Sequence, residues 1–185
     1  NKITFSNDSI IVNQIKEICK LANKNKNQVY LVLTPCFHIG LKGGTNTDLV
    51  INHFKSLQNK ITTALEEADG QASFQEDVWQ RPEGGGGHTR VIENGAVFEK
   101  GGVNITAVHG PLPKSMQTYF KVGEVDFFAC GLSLVLHPKS PMIPTVHANW
   151  RYFEMYDGNG KMVTQWFGGG QDLTPYYLFD EDAVH

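Results

Sequence analysis

From residue 71 onward the chain is a succession of short strand-like runs broken by turn signals, and nothing else in it limits the fold so strongly. The runs are ASFQEDVWQ, HTRVIENGAVFEKGGVNITAVHG, DFFACGLSLVLH, VHANWRYFEMY and VTQWFGGG. Asn94-Gly95 lies between TRVI and AVFEK and reads as a two-residue hairpin turn, since such turns need residues that tolerate positive φ. The stretch YDGNGK places a second turn between WRYFEM and MVTQWF. Consecutive hairpins make an antiparallel sheet, and an apolar sheet face must be covered by helices. The expected class is α+β, an antiparallel β-sheet of successive hairpins flanked by α-helices.

Ahead of the strands stands one clear helix. Thr47 or Asp48 can cap it, and Val50, Phe54, Leu57, Ile61, Ala64, Leu65 and Ala68 form one apolar stripe at helical spacing. Gly70 follows as a natural stop. Residues 1–47 read differently, as a small αβ extension. KITFS suits a strand, Asp8 or Ser9 can cap a helix bearing Ile11, Ile15, Ile18 and Ala22, and QVYLVLT suits a strand stopped by Pro35. The expected division is thus residues 1–47 and a domain from 48 to 185. DEDAVH, from Asp180, looks like the first turn of another helix.

Composition narrows the function. A chain of 185 residues with 41% hydrophobic and 19% charged residues can bury a core as an ordinary globular domain. A net charge of −3 gives no reason to expect nucleic acid. No apolar stretch approaches the ~20 residues of a membrane helix, and the N-terminal residues lack a signal-peptide pattern. The three cysteines, Cys19, Cys36 and Cys130, show no CxxC spacing and suit small core positions in a reducing compartment. A cytoplasmic location is expected. The nineteen glycines cluster at Gly84 to Gly87, Gly101-Gly102 and Gly168 to Gly170. Such runs point to tight loops that contact a ligand.

The segment HPKSPMIPTVHANWRYF (137–153) concentrates the chemistry. If residues 145–153 form a strand, His147, Asn149 and Arg151 share one face, and Val146, Ala148, Trp150 and Tyr152 share the other. In the preceding run Ser133, Val135 and His137 alternate with leucines. A hairpin through loop 138–144 would set Ser133 near Asn149 and His137 near the start of the second strand. One face would then carry a hydroxyl, two imidazoles, an amide and a guanidinium. Arginine suits a carboxylate, asparagine and serine add neutral donors, and histidine exchanges protons near neutral pH. A solvated sheet face is the competing reading. In WFGGGQDLTPYY, Asp172 follows three glycines and reads either as a turn residue or as an acid held beside a ligand. His53, His88 and His109 read as surface or loop residues. No Walker loop, GxSxG elbow or dinucleotide fingerprint is present, and histidine spacing gives a metal site little support.

Three segments, GGGGHTRVIENGAVFEKGGVNITAVHG, GLSLVLHPKSPMIPTVHANWRYFE and WFGGGQDLTPYYLFDEDAVH, closely resemble the oxygen-dependent coproporphyrinogen III oxidase family. The resemblance runs from about residue 50 to the end and leaves residues 1–47 outside it. It implies oxidative decarboxylation of two propionates of coproporphyrinogen III to vinyl groups, giving protoporphyrinogen IX in haem biosynthesis. O2 is the co-substrate, no organic cofactor is needed, and the members are homodimers with an antiparallel sheet flanked by helices. By motif, Ser133, Asn149, Trp150 and Arg151 are implied to bind substrate, His147 to donate a proton and Asp172 to sit under the pyrrole N–H groups. His137, His147 and His185 match histidines suggested as ligands of a divalent, manganese-like metal in some members. The family's pattern continues past the last motif here with further elements and an arginine-bearing substrate motif, so a truncated domain is expected. The alternatives are a non-catalytic tetrapyrrole-binding or scaffold fragment and a metal-dependent hydrolase built on the histidines.

Overall fold

A computed structural model describes residues 47–180. Helix α1 (Thr47–Asp69) precedes strands β1 (Gln75–Gln80), β2 (Gly85–Glu93) and β3 (Phe98–Pro111). A short helix α2 (Lys114–Phe120) leads into β4 (Asp126–Pro138), β5 (Thr145–Tyr156) and β6 (Met162–Thr174). The six strands lie in chain order in one sheet, each antiparallel to its neighbour. The α+β expectation holds. The elements expected before residue 47, and the helix expected to continue from Asp180, lie outside the described residues.

Helix α1 forms where its apolar stripe recurs every third or fourth residue, and that stripe seats it on the sheet. Val50, Phe54, Leu57, Ile61 and Leu65 are buried against Ile92, Val103, Ile105, Leu132, Leu134 and Leu136. Each such side chain contributes about 1.5–3 kcal/mol by leaving water. Gln58 is a buried polar member of the same stripe. Its Nε2 donates to the carbonyls of His88 (3.0 Å) and Val103 (2.8 Å), tying the helix to β2 and β3. The helix ends where Gly70 takes φ +72°.

Asp69, the last residue of α1, changes the expected two-residue turn. The loop between β2 and β3 takes four residues, Asn94 to Val97, with Asn94 at φ 56°. Asp69 Oδ1 accepts from the amides of Ala72 (3.0 Å) and Ala96 (2.9 Å), and Oδ2 accepts from Val97 (2.9 Å) and Phe98 (3.0 Å). A Cβ on residue 95 would collide with this carboxylate, so the glycine serves a close approach. The second expected turn holds, with Asp157 Oδ1 accepting from Asn159 and Lys161, both at 2.9 Å, and Gly160 at φ +74°.

The glycine runs are the main correction to the sequence reading. Gly85 to Gly87 lie in β2, Gly101-Gly102 in β3 and Gly168 to Gly170 in β6, so most of the clustered glycines are strand residues rather than loop residues. Close neighbours across the sheet, which local sequence does not reveal, account for several: a Cβ at Gly169 would stand 2.5 Å from the Asn149 carbonyl oxygen. His53, His88 and His109 sit within α1, β2 and β3 rather than in loops; His109 is exposed, as expected of a surface residue, and the other two are half-buried. Helix α2 was not foreseen. It follows Pro113 and closes at Lys121 in the left-handed region.

The two faces of the sheet are unequal. Helix α1 covers the one carrying Leu132, Leu134, Ala148, Trp150 and Tyr152. On the other, among the described residues, only α2 packs, at one end, where Met116 and Phe120 meet Phe127, Phe153 and Met155, and the rest of that face is open.

Candidate active site

The open face gathers the polar residues expected of it. Ser133 on β4 is the Cα partner of Asn149 on β5, as the hairpin pattern requires. Asn149 pairs in turn with Gly170 on β6, and Ser133 with Asn104 on β3. Because paired residues of an antiparallel sheet point to the same side, Asn104, Ser133 and Asn149 form one row. The next row is Thr106, Gly131, Arg151 and Gly168. Arg151 is exposed, and its Cγ would stand 3.5 Å from a Cβ at Gly131, so its stem lies along that glycine.

One row the other way, His147 faces Asp172. They are Cα partners on β5 and β6, and His147 Nδ1 lies 3.0 Å from Asp172 Oδ2. Thr174 Oγ1 stands 3.4 Å from Asp172 Oδ1. Sequence reasoning singled out both residues without foreseeing their contact. Strand register produces it: the Asp157–Lys161 turn folds β6 back along β5 and brings residues 25 apart into one pair.

His137 falls on the same face but is engaged elsewhere, its Nδ1 lying 3.2 Å from Thr145 Oγ1. His185 lies outside the described residues. Among the described residues no three of His, Cys, Asp and Glu come together to hold a metal ion. Two imidazoles, one of them held by Asp172 and the other turned to Thr145, do not compose a metal site on their own.

Strand alternation turns the Trp150 side chain to the helix-covered face, where it is 5% exposed within the core. Trp150 nonetheless borders the groove between Asn149 and Arg151.

A groove of about 450 Å³ runs over this face. Its polar stretch is Asn104, Thr106, Ser133, Asn149 and Arg151, and its apolar end includes Met116, Phe153 and Trp166. Trp166 stacks on Phe153 (4.4 Å between rings, 27°), and Phe153 stacks on Phe127 (5.7 Å, 10°). The sequence reading missed Asn104, Thr106, Phe153 and Trp166. Continuing the alternation of β5 to Phe153, and carrying it onto β3 and β6, would have found them. Cys130 borders the groove, yet burial pushes its thiol up to about 12, which suits a packing residue rather than a nucleophile.

The floor beside these groups is smooth. At Gly168 and Gly170 a Cβ would meet nothing within 4 Å, so packing among the described residues does not require glycine there. Open backbone, a guanidinium, neutral donors and an aromatic wall together suit a flat ligand with carboxylate arms.

Comparison with known proteins agrees with this geometry. The family model described as coproporphyrinogen III oxidase matches residues 49–185. A protein of Glycine max named oxygen-dependent coproporphyrinogen-III oxidase, chloroplastic, is 51% identical over 141 residues, covering 71% of this chain and 37% of that protein. Its namesake in Nicotiana tabacum is 46% identical over 156 residues, covering 76% of this chain and 39% of that protein. The chain therefore spans under two fifths of the length of these curated relatives. Both are named as chloroplastic, which overturns the expected cytoplasmic location. Cysteine usage separates reducing from oxidising compartments, and a reducing compartment need not be the cytosol.

Proposed function

The chain belongs to the coproporphyrinogen III oxidase family, and from that premise we propose that its open sheet face carries substrate in an oxygen-dependent oxidative decarboxylase of haem biosynthesis. The substrate is coproporphyrinogen III and the product protoporphyrinogen IX. At each of two propionates the bond to the carboxylate breaks and CO2 leaves. The neighbouring carbon loses a hydrogen with its electron pair, a vinyl group forms, and O2 takes up that hydride equivalent with one proton and leaves as H2O2. An electron-rich porphyrinogen can supply those electrons without an organic cofactor.

The contact between His147 and Asp172 at 3.0 Å, on the face shared with Ser133, Asn149 and Arg151, carries this reading. Arg151 offers a planar fork to a propionate, with the Asn149 amide and Ser133 hydroxyl as neutral donors. The open backbone at Gly168 and Gly170 leaves room for the macrocycle. Asp172 accepts from a pyrrole N–H, and withdrawing that proton raises the ring's electron density toward O2. With Nδ1 held by Asp172, His147 exchanges protons with substrate through Nε2.

A divalent, manganese-like ion on His137, His147 and His185 is a separate proposal. Among the described residues no three of His, Cys, Asp and Glu come together to hold such an ion. Metal analysis of the purified chain tests it. A homodimer is likewise proposed, with light scattering as its test. The location proposed is the plastid, after the relatives' names. Among the described residues no helix is long and apolar enough to cross a membrane.

Incubating the chain with coproporphyrinogen III, with and without O2, tests the main reading. CO2 and a vinyl-bearing product are expected only with O2. Failure to bind coproporphyrinogen III, or normal turnover by Asp172→Ala, overturns it. A second reading, a non-catalytic tetrapyrrole-binding protein, predicts binding with no CO2 in air.

A further inference from the structure

We infer that Asn104 is a further substrate-binding residue of this face, an acceptor for a pyrrole N–H; the inference rests on the reading of the groove as a porphyrinogen site. Asn104 stands on β3 as the Cα partner of Ser133, itself the partner of Asn149, so three polar side chains cross three strands in one row. It lines the groove. Its amide lies near Gly102, where a Cβ would stand 3.5 Å from Nδ2 and 3.7 Å from Oδ1. The Oδ1 atom is buried and has no hydrogen-bond partner.

A buried acceptor without a partner is rare in a folded protein, because the lost contact with water goes unreplaced. Asn104 lines the groove, so a turn of its amide brings that acceptor to a donor on the ligand. Gln171 Oε1 is in the same condition but lies on the helix-covered side, as the Cα partner of the buried Ala148, and does not line the groove. The ligand's chemistry then selects the contact. At neutral pH the propionates of coproporphyrinogen are ionised and only accept, so its strong donors are the pyrrole N–H groups. Arg151 suits the arms of the molecule, and Asn104 suits its ring.

Anaerobic titration of the chain with coproporphyrinogen III reads binding without turnover, and thermal unfolding of each variant reads its fold. Asn104→Leu removes the acceptor and is expected to weaken binding about tenfold, which equals about 1.4 kcal/mol. Asn104→Asp keeps an acceptor and removes the donor, and is expected to stay within about threefold of the parent chain. If the leucine variant does not fold, Asn104→Ser, too short to reach, is expected to show the same tenfold loss. An Asp variant that binds as weakly as the Leu or Ser variant overturns the acceptor role, and so does unchanged binding by the Leu or Ser variant. A parent chain that does not bind coproporphyrinogen III fails the function reading itself, whereas parent binding with unaffected Asn104 variants fails this inference alone.

Discussion

His147 and Asp172 meet at 3.0 Å across neighbouring strands, through Nδ1 and Oδ2, in a register where their Cα atoms are partners. The contact fixes which imidazole nitrogen is occupied and leaves Nε2 for substrate. Asp172→Asn keeps the shape of the pair but removes the charge that holds the ring. It is expected to lower turnover of coproporphyrinogen III by about 100-fold, the scale of general acid–base effects, while anaerobic binding falls far less, because the asparagine oxygen still accepts from the pyrrole N–H. His147→Gln should match it, and the double variant should be no worse than either single one, since the two act as a unit. Rate of CO2 release and anaerobic affinity, measured side by side, check this. Equal losses in affinity and rate would reassign the pair to binding.

Arg151 is the exposed cation among the residues lining the groove, its stem laid along Gly131. A guanidinium meets a carboxylate with two parallel N–H bonds, which an ammonium cannot reproduce. Arg151→Lys is therefore expected to weaken coproporphyrinogen binding by about tenfold and Arg151→Ala by more. Affinity of the parent chain should fall as salt rises, and that of the alanine variant should fall less steeply. Titration at two ionic strengths reads both effects. An alanine variant with the parent's affinity and salt dependence would remove Arg151 from substrate recognition.

The glycine triplet of β6 separates packing from function within three residues. At Gly169 an added Cβ would press to 2.5 Å from the Asn149 carbonyl oxygen, while at Gly168 and Gly170 it would meet nothing within 4 Å. Gly169→Ala is expected to destabilise the fold by about 1–3 kcal/mol through that clash. Gly168→Ala and Gly170→Ala are expected to leave stability unchanged or raise it by about 0.4–1 kcal/mol, through lost freedom in the unfolded chain. Both should nonetheless weaken porphyrinogen binding, because they roughen the floor. Denaturant unfolding paired with ligand titration distinguishes the three. Unaltered binding in Gly168→Ala and Gly170→Ala would show that the floor tolerates side chains.

What was legible in the chain follows from how local the cause was. The stripe of α1 and the alternation of β4 and β5 are short-range periodicities, and they placed Leu57, Ser133, Asn149 and Arg151 on their observed sides. The six-residue loop between Pro138 and Thr145 even carried the register of that hairpin. The same alternation turns the Trp150 side chain inward, where it is buried, while the residue still borders the groove. The turn at Asn94 widened for a reason 25 residues away, where Asp69 supplies the acceptor. The seven residues of α2 are too few for a periodicity to show, and they hold because Met116 and Phe120 pack on the end of the sheet. The strand placement of the glycine runs depended on partners across the sheet, which no local window contains.

Asp69 offers the sharpest test of the fold, because a single carboxylate joins the end of α1 to the turn between β2 and β3. It is 5% exposed. Burial alone would raise its pKa, but the amides of Phe98, Ala72, Ala96 and Val97 all favour the ionised form and bring it down to about 2. A carboxyl depressed in the folded state stabilises the protein above its unfolded value, near ~4, and that contribution disappears as pH falls through about 2. The stabilisation at stake is about 2 kcal/mol. Asp69→Asn replaces one accepting oxygen with an NH2 group facing backbone N–H donors, and is expected to cost about 3 kcal/mol at neutral pH. The variant should also lose the part of the acid sensitivity between pH 4 and 2 that Asp69 contributes. Urea unfolding of both chains across that range measures the difference directly. Parallel pH profiles, with a constant gap down to pH 2, would mean that the Asp69 carboxylate is not held by these amides in solution.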